Sequence, residues 1–226
     1  MTNLSKKTNI QEIITVTLVY LSFFIVGILS YQDFGISVDE WELRLKGFAN
    51  LKYIMEIFFQ NHLSKIDEIV FVPNIWDYYG THGVIFDLPM AFVEYFFNIT
   101  DSQKYFFIRH YFNHLIFLIS NFYFFLLVKE RFNNWIYGIF GSLFLFLSPR
   151  IFAESFYNYK DILFLSLFII NLYYGIHFLK LPSFKNSILF SLTTALAIDI
   201  RIMGIIIVPI IISLTYLKYL RNKNFK

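Results

Sequence analysis

The sequence predicts an all-α, polytopic integral membrane protein with about six transmembrane helices and a long first extracytoplasmic loop carrying interfacial helices. Three observations predict it. Of the 226 residues, 57% are hydrophobic and only 15% are charged. Apolar runs recur at close to the roughly 20 residues that a bilayer core requires. The acidic residues gather in the stretches between those runs.

The first run, "IITVTLVYLSFFIVGILS", predicts a span over about 11–30. Lys6 and Lys7 precede it and no small-residue cleavage site follows, so it reads as an uncleaved anchor. A long loop, about 31–104, comes next, with a helical stretch expected at about 39–61. That stretch opens on "SVDEWE", where Ser37 or Asp39 suits the cap and acids suit the first turn. "VIFDLPMAFVEYFF" (84–97) is short for a span and carries Asp87 and Glu94, which are costly in hydrocarbon, so an interfacial helix is expected there. Further spans are expected at about 105–128, 134–152 and 161–179, with a second outer loop at 148–161. A last pair lies at about 187–200 and 202–218, separated by "DIR". No internal repeat, low-complexity linker or soluble domain interrupts the chain, so 1–226 reads as one module.

Charge orients this path, because short cytoplasmic loops concentrate Lys and Arg. Lys6, Lys7, Lys129, Arg131, Lys180, Lys185, Lys218, Arg221, Lys223 and Lys226 fall on one side, against Arg150, Lys160 and Arg201 in the short loops of the other. The first side is therefore expected to be cytoplasmic, with the N-terminus there and the protein in the cytoplasmic (inner) membrane. Of the acids, only Glu12 and Glu130 share it, so the outer face is the polar one. With no cysteine, disulfides and thiolate metal sites are excluded. Neither a Walker loop nor a dinucleotide fingerprint occurs, and no nucleic-acid partner is expected.

Chemistry is therefore sought on the outer face. Asp39 and Glu40 follow the anchor closely, where a carboxylate could take a proton from an acceptor hydroxyl while a lipid-borne donor approaches from the membrane. The plainer reading of the same pair is a helix start. Glu154, Lys160 and Asp161 lie in "SPRIFAESFYNYKDILF" and read equally as a site or as a solvated rim. Arg201 sits between apolar stretches, where an arginine needs a partner or a ligand phosphate, and Asp199 is the nearest candidate partner. His82, in "THGVIFDLP", reads as a surface residue or as a ligand for phosphate or sugar hydroxyl. His110 and His114 have helical spacing without the glutamate of the zinc-peptidase motif, so no metal site is assigned.

In their order along the chain these features resemble the GT-C membrane glycosyltransferases, above all glycosyltransferase family 39, the protein O-mannosyltransferase and aminoarabinose-transferase branch. Asp39-Glu40 in "ISVDEW" resembles the acidic pair that opens that family's outer loop. "THGVIFDLP" keeps the histidine of its His-Pro-Pro-Leu-like stretch and lacks the prolines. Arg109 matches an arginine opening the next span, "SPRIFAESFYNYKD" matches a proline-to-aspartate stretch ending at Asp161, and Arg201 matches a basic residue before Gly and Pro in a later span. Family members are longer, so the resemblance is to their N-terminal catalytic module.

The resemblance implies a transferase that moves a sugar with inversion from a polyprenyl-phosphate donor to a lipid, glycan or protein acceptor. Asp39 would be the general base, and Glu40 would orient the acceptor or support the base. Arg201, Lys160 or Arg109 would supply positive charge to the phosphate, and Glu154 and Asp161 would complete the acceptor side or hold those cations. No cofactor is expected, and a divalent ion between the acidic loops, as in the oligosaccharyltransferase branch, is not favoured. The alternatives are a transporter, flippase or accessory subunit for a lipid-linked sugar, and a membrane protein without a ligand.

Overall fold

The computed structural model of the protein describes residues 10–59, 66, 69–72 and 82–223. Among the described residues every regular element is helical. Helix α1 (Ile10–Ser30) covers the first expected span. Helix α2 (Val38–Phe58) starts after Ser37, whose N–H donates to the Glu40 carboxylate at 2.7 Å, the reciprocal half of a capping box. The end of the stretch expected to reach 61 lies outside the described residues. Helix α3 (Asp87–Phe97) stops at Asn98, which adopts the left-handed conformation at φ 53°.

Helix α4 (Ser102–Phe132) is longer than the expected 105–128, because Asp101 caps it by accepting from Lys104 N–H at 3.1 Å and Asn133 ends it at φ 53°. The continuous span expected over 134–152 is instead two helices, α5 (Trp135–Phe146) and α6 (Pro149–Tyr157), bent by 66°. Pro149 explains the break. Its ring disfavours helical backbone at Ser148, which sits at ψ 111°, and its missing N–H suits the first position of a new helix. Helices α7 (Asp161–Lys180) and α8 (Phe184–Ile200) follow. Arg201 is extended, and a 3₁₀ turn (Ile202–Ile206) leads into α9 (Ile207–Lys223).

Side-chain contacts at the helix ends fix the directions. Lys129, near the end of α4, pairs with Glu12 at the start of α1, and Tyr31, just past α1, meets His110 in the first half of α4. Glu130 pairs with Lys180 at 2.6 Å, so α4 and α7 finish together. Arg201, just beyond α8, pairs with Asp161 at the start of α7, while Lys218 of α9 donates to Leu179 O. Among the described residues, α1, α4, α7, α8 and α9 thus run between two ends of a bundle. One end carries Asp39, Asp161 and Arg201, and the other carries Lys129, Lys180 and Lys218.

Helix α1, α4, α7 and the segment Ile202–Arg221 are long and apolar enough to cross a membrane, and the bent α5–α6 pair makes a fifth candidate if it counts as one broken span. The protein is accordingly a helical membrane protein by composition and element length. Helix α8, with 17 residues, spans roughly 25 Å at 1.5 Å per residue, a little under a bilayer core.

The interior has two layers. Within the bundle, Phe23, Phe117, Leu118, Phe146 and Ile162 pack together, and the Phe23 and Phe146 rings stack at 3.9 Å. Outside it, α2 and α3 enclose Phe48, Leu51, Met55 and Ala91 with Ile66, Val70 and Val72. Phe86, Met90, Tyr159, Leu163 and Ile200 form a third cluster, and Tyr159 of this cluster also lines the pocket described next.

Candidate functional site

At the end of the bundle where α1 gives way to α2, a pocket of about 250 Å³ is lined by Ser37, Val38, Asp39, Leu43, residues 157–161 and Arg201. Three turns of chain supply it: the start of α2, the α6–α7 link and the break after α8. Each is a helix end, where unpaired backbone polar groups and polar side chains meet water.

Four residues singled out in the sequence converge here. The Lys160 ammonium lies 3.5 Å from Asp39 Oδ2, and Asp39 is the more open of the two, with a side chain 61% exposed. Arg201 pairs with Asp161 Oδ1. Asn158 ties the loop together: its Oδ1 accepts from Asp161 N–H at 2.9 Å, and its Nδ2 donates to Asp161 Oδ2 at 3.2 Å and Glu154 Oε2 at 3.3 Å. Glu154 also accepts from Arg150 at 2.8 Å, so it stands one step outside the pocket. Asn158 was not singled out from the sequence, although an Asn three residues before the first acid of a helix is a capping pattern.

The expected partnership of Arg201 with Asp199 is corrected by the structure. Asp199 accepts from Ile85 N–H at 3.0 Å through its side chain and from Gly83 N–H at 2.6 Å through its carbonyl. Residue 83 must be glycine for this, because a Cβ there would collide with the Asp199 carboxylate. His82, immediately before that clasp, is half-buried and does not line the pocket.

Glu40 and Arg109 do not line the pocket either. Glu40 is completely buried. Its Oε2 accepts from Ser37 N–H, its Oε1 lies 2.9 Å from His110 Nε2, and its backbone carbonyl accepts from Tyr159 O–H at 2.8 Å. Burial pushes the Tyr159 phenol well above its ordinary pKa, so its O–H remains a donor. Arg109, also fully buried, donates through Nε to Glu94 Oε1 at 2.9 Å and through Nη1 to Asp87 Oδ1 at 3.2 Å. Arg44 occupies the other oxygen of Glu94 at 2.7 Å. The two acids that argued against a crossing at 84–97 are thus neutralised by arginines from α2 and α4. Asp87 is nonetheless pushed up to about 6 by burial, which outweighs the opposing pull of Arg109 and Lys46.

His114, the other half of the His pair, meets Ser155 Oγ at 2.7 Å through Nδ1 and stacks on Phe156 at 4.3 Å. The two histidines therefore serve different neighbours. Among the described residues no group of three or more His, Asp or Glu side chains is placed to hold a metal ion.

What fold and site define is a class: a polytopic helical membrane protein with a polar pocket of mixed charge at one end of its bundle. The chain matches no protein-family pattern, no curated protein and no solved structure.

Proposed function

We propose that the protein is a GT-C-like, polyprenyl-phosphate-sugar-dependent glycosyltransferase that works where the pocket meets the membrane surface. One observation carries the reading: an open carboxylate, Asp39, lies beside Lys160 and shares one pocket with Arg201 at helix ends. Asp39 takes the proton of an acceptor hydroxyl. The acceptor oxygen then bonds to the anomeric carbon from the face opposite the phosphate, and the carbon–oxygen bond to phosphate breaks with inversion. The departing phosphate carries the bonding pair and needs positive charge rather than a proton, which Lys160 and Arg201 supply by charge-assisted hydrogen bonds. Asp161 holds Arg201 until the phosphate competes for it.

Six membrane passes fit this reading, with α8 and the α5–α6 pair counted as spans. Lys129, Arg131, Lys180, Lys185, Lys218 and Arg221 at or near the far end of the bundle argue for that end in the cytoplasm and the pocket outside the inner membrane. Glu40 and Arg109 enter as supports of the site rather than as groups that touch substrate.

A second reading is favoured by the break at Arg201. An extended residue between α8 and a 3₁₀ turn resembles the interrupted helices with which transporters bind charged substrates, so a binding or flipping role for the same lipid-linked sugar follows from it. The test is transfer from a panel of labelled polyprenyl-phosphate sugars by membranes containing the protein or its Asp39→Asn variant. Transfer that vanishes in the variant supports the enzyme. Saturable donor binding without transfer, by folded and inserted protein, favours the transporter.

A further inference from the structure

We infer that His110 and Tyr159 are positioning residues that set Asp39 against Lys160, acting through the buried residue Glu40. This rests on the transferase reading for what the Asp39–Lys160 pair does, but not for how the pair is held.

The geometry is that of a joint. Glu40 offers three oxygens, and each goes to a different part of the chain: Oε2 to Ser37 N–H ahead of α2, Oε1 to His110 in α4, and the carbonyl to Tyr159 in the α6–α7 link. Glu40, His110 and Tyr159 are all nearly or fully buried. The pocket residues are their immediate neighbours in sequence. Asp39 precedes Glu40 and Lys160 follows Tyr159, so the Tyr159 to Glu40 hydrogen bond joins the residues that adjoin the two charges.

The pair itself does not supply this registration. Its 3.5 Å contact is long, its lysine side chain is flexible, and exposed ion pairs of this kind contribute little. The buried joint is different. An unsatisfied carboxylate or phenol in the interior is costly, so displaced arrangements that break these bonds are disfavoured. On the far side of His110, Nδ1 lies 3.4 Å from Tyr31 O, which links the joint to the end of the membrane anchor.

The protein has no cysteine, which makes a direct test clean. Asp39→Cys and Lys160→Cys are introduced together in the full chain, and the rate of bridging by a short bismethanethiosulfonate is measured in membranes. Because both charges are then absent, the rate reports the register of the backbones alone. Adding Tyr159→Phe or His110→Leu should slow bridging by about twofold or more, as loss of one buried hydrogen bond shifts the aligned population. His110→Gln, which keeps a donor toward Glu40, should restore it. A second pair at the far end, Tyr123→Cys with Tyr174→Cys, whose hydroxyls lie 2.8 Å apart in the native protein, should bridge at an unchanged rate throughout.

Unchanged bridging at 39 and 160 in both variants would overturn the inference. Equal slowing of both pairs would overturn it as well, because His110 and Tyr159 would then hold the fold at large. Bridging needs no substrate, so its outcome is independent of whether the native protein transfers sugar.

Discussion

Two clusters of acids and bases lie side by side in this protein and differ in almost everything except composition. In the first, Arg44, Arg109, Glu94 and Asp87 are enclosed between α2, α3 and α4. In the second, Asp39, Lys160, Asp161 and Arg201 line a pocket open to solvent. The enclosed cluster cannot reach a substrate, and each charge in it is matched because an unmatched one would be costly. The open cluster contributes little to stability but can exchange its partners. The comparison teaches that charge near a membrane surface is a functional signal only where it can be reached.

The sharpest way to break this contrast is to remove the shared anion of the enclosed cluster. Glu94→Ala leaves Arg44 and Arg109 without their common partner, and a loss of about 3–5 kcal/mol is expected in the thermal or denaturant unfolding of detergent-solubilised protein. A loss as small as that for a surface pair would mean that water enters the cluster.

Asp87 tests the same region through pH. Its pKa is about 6 in the folded protein against an ordinary 3.8, so between those values the folded state keeps a proton that the unfolded state has released. The contribution of Asp87 is therefore fully present below about pH 4 and is lost as pH rises through 6, a change on the order of 3 kcal/mol. Asp87→Asn should flatten the fall of stability between pH 4 and 6. Measuring Tm across that range in both proteins decides the matter.

Inside the bundle, Gly27 of α1 faces the His114 ring, and a Cβ there would collide with it. The ring cannot retreat freely because Phe156 stacks on its face. Gly27→Ala should cost about 1–3 kcal/mol in the same unfolding assays.

The open cluster should show the smallest effect on stability. Asp39→Asn is expected to change unfolding by less than about 1 kcal/mol. If the transferase reading holds, the same variant lowers sugar transfer by roughly 10²–10⁴-fold, the usual contribution of a positioned general base. A stability loss as large as that of Glu94→Ala would place Asp39 among the supports of the fold.

Much of this architecture can be read along the chain. The anchor, the short helix α3 and the long apolar helices follow from run length and from where carboxylates fall. The break between α5 and α6 is legible in Pro149, but the apolar residues on both sides of it give the stronger signal and suggest one continuous span. The stop of α4 at Asn133 and its start at Asp101 are cap signals that lie a few residues beyond the apolar run, which is why the helix extends past the expected span.

The sequence alone determined that the chain is helical, apolar and suited to a membrane, because those properties depend on local runs and on the cost of placing charge in lipid. It also placed Asp39, Lys160, Asp161 and Arg201 on the same side, because alternating passes carry loops to alternating ends. Only the tertiary structure separated Asp39 from Glu40. Neighbours on a helix point about 100° apart, so one reaches the pocket while the other is enclosed by His110 and Tyr159, and nothing in "VDEW" says which. Only the structure, too, gave Arg109 to Glu94 and Asp87 and left Arg201 to Asp161. A cation takes the acid that packing brings within reach, and packing joins residues that the sequence keeps far apart.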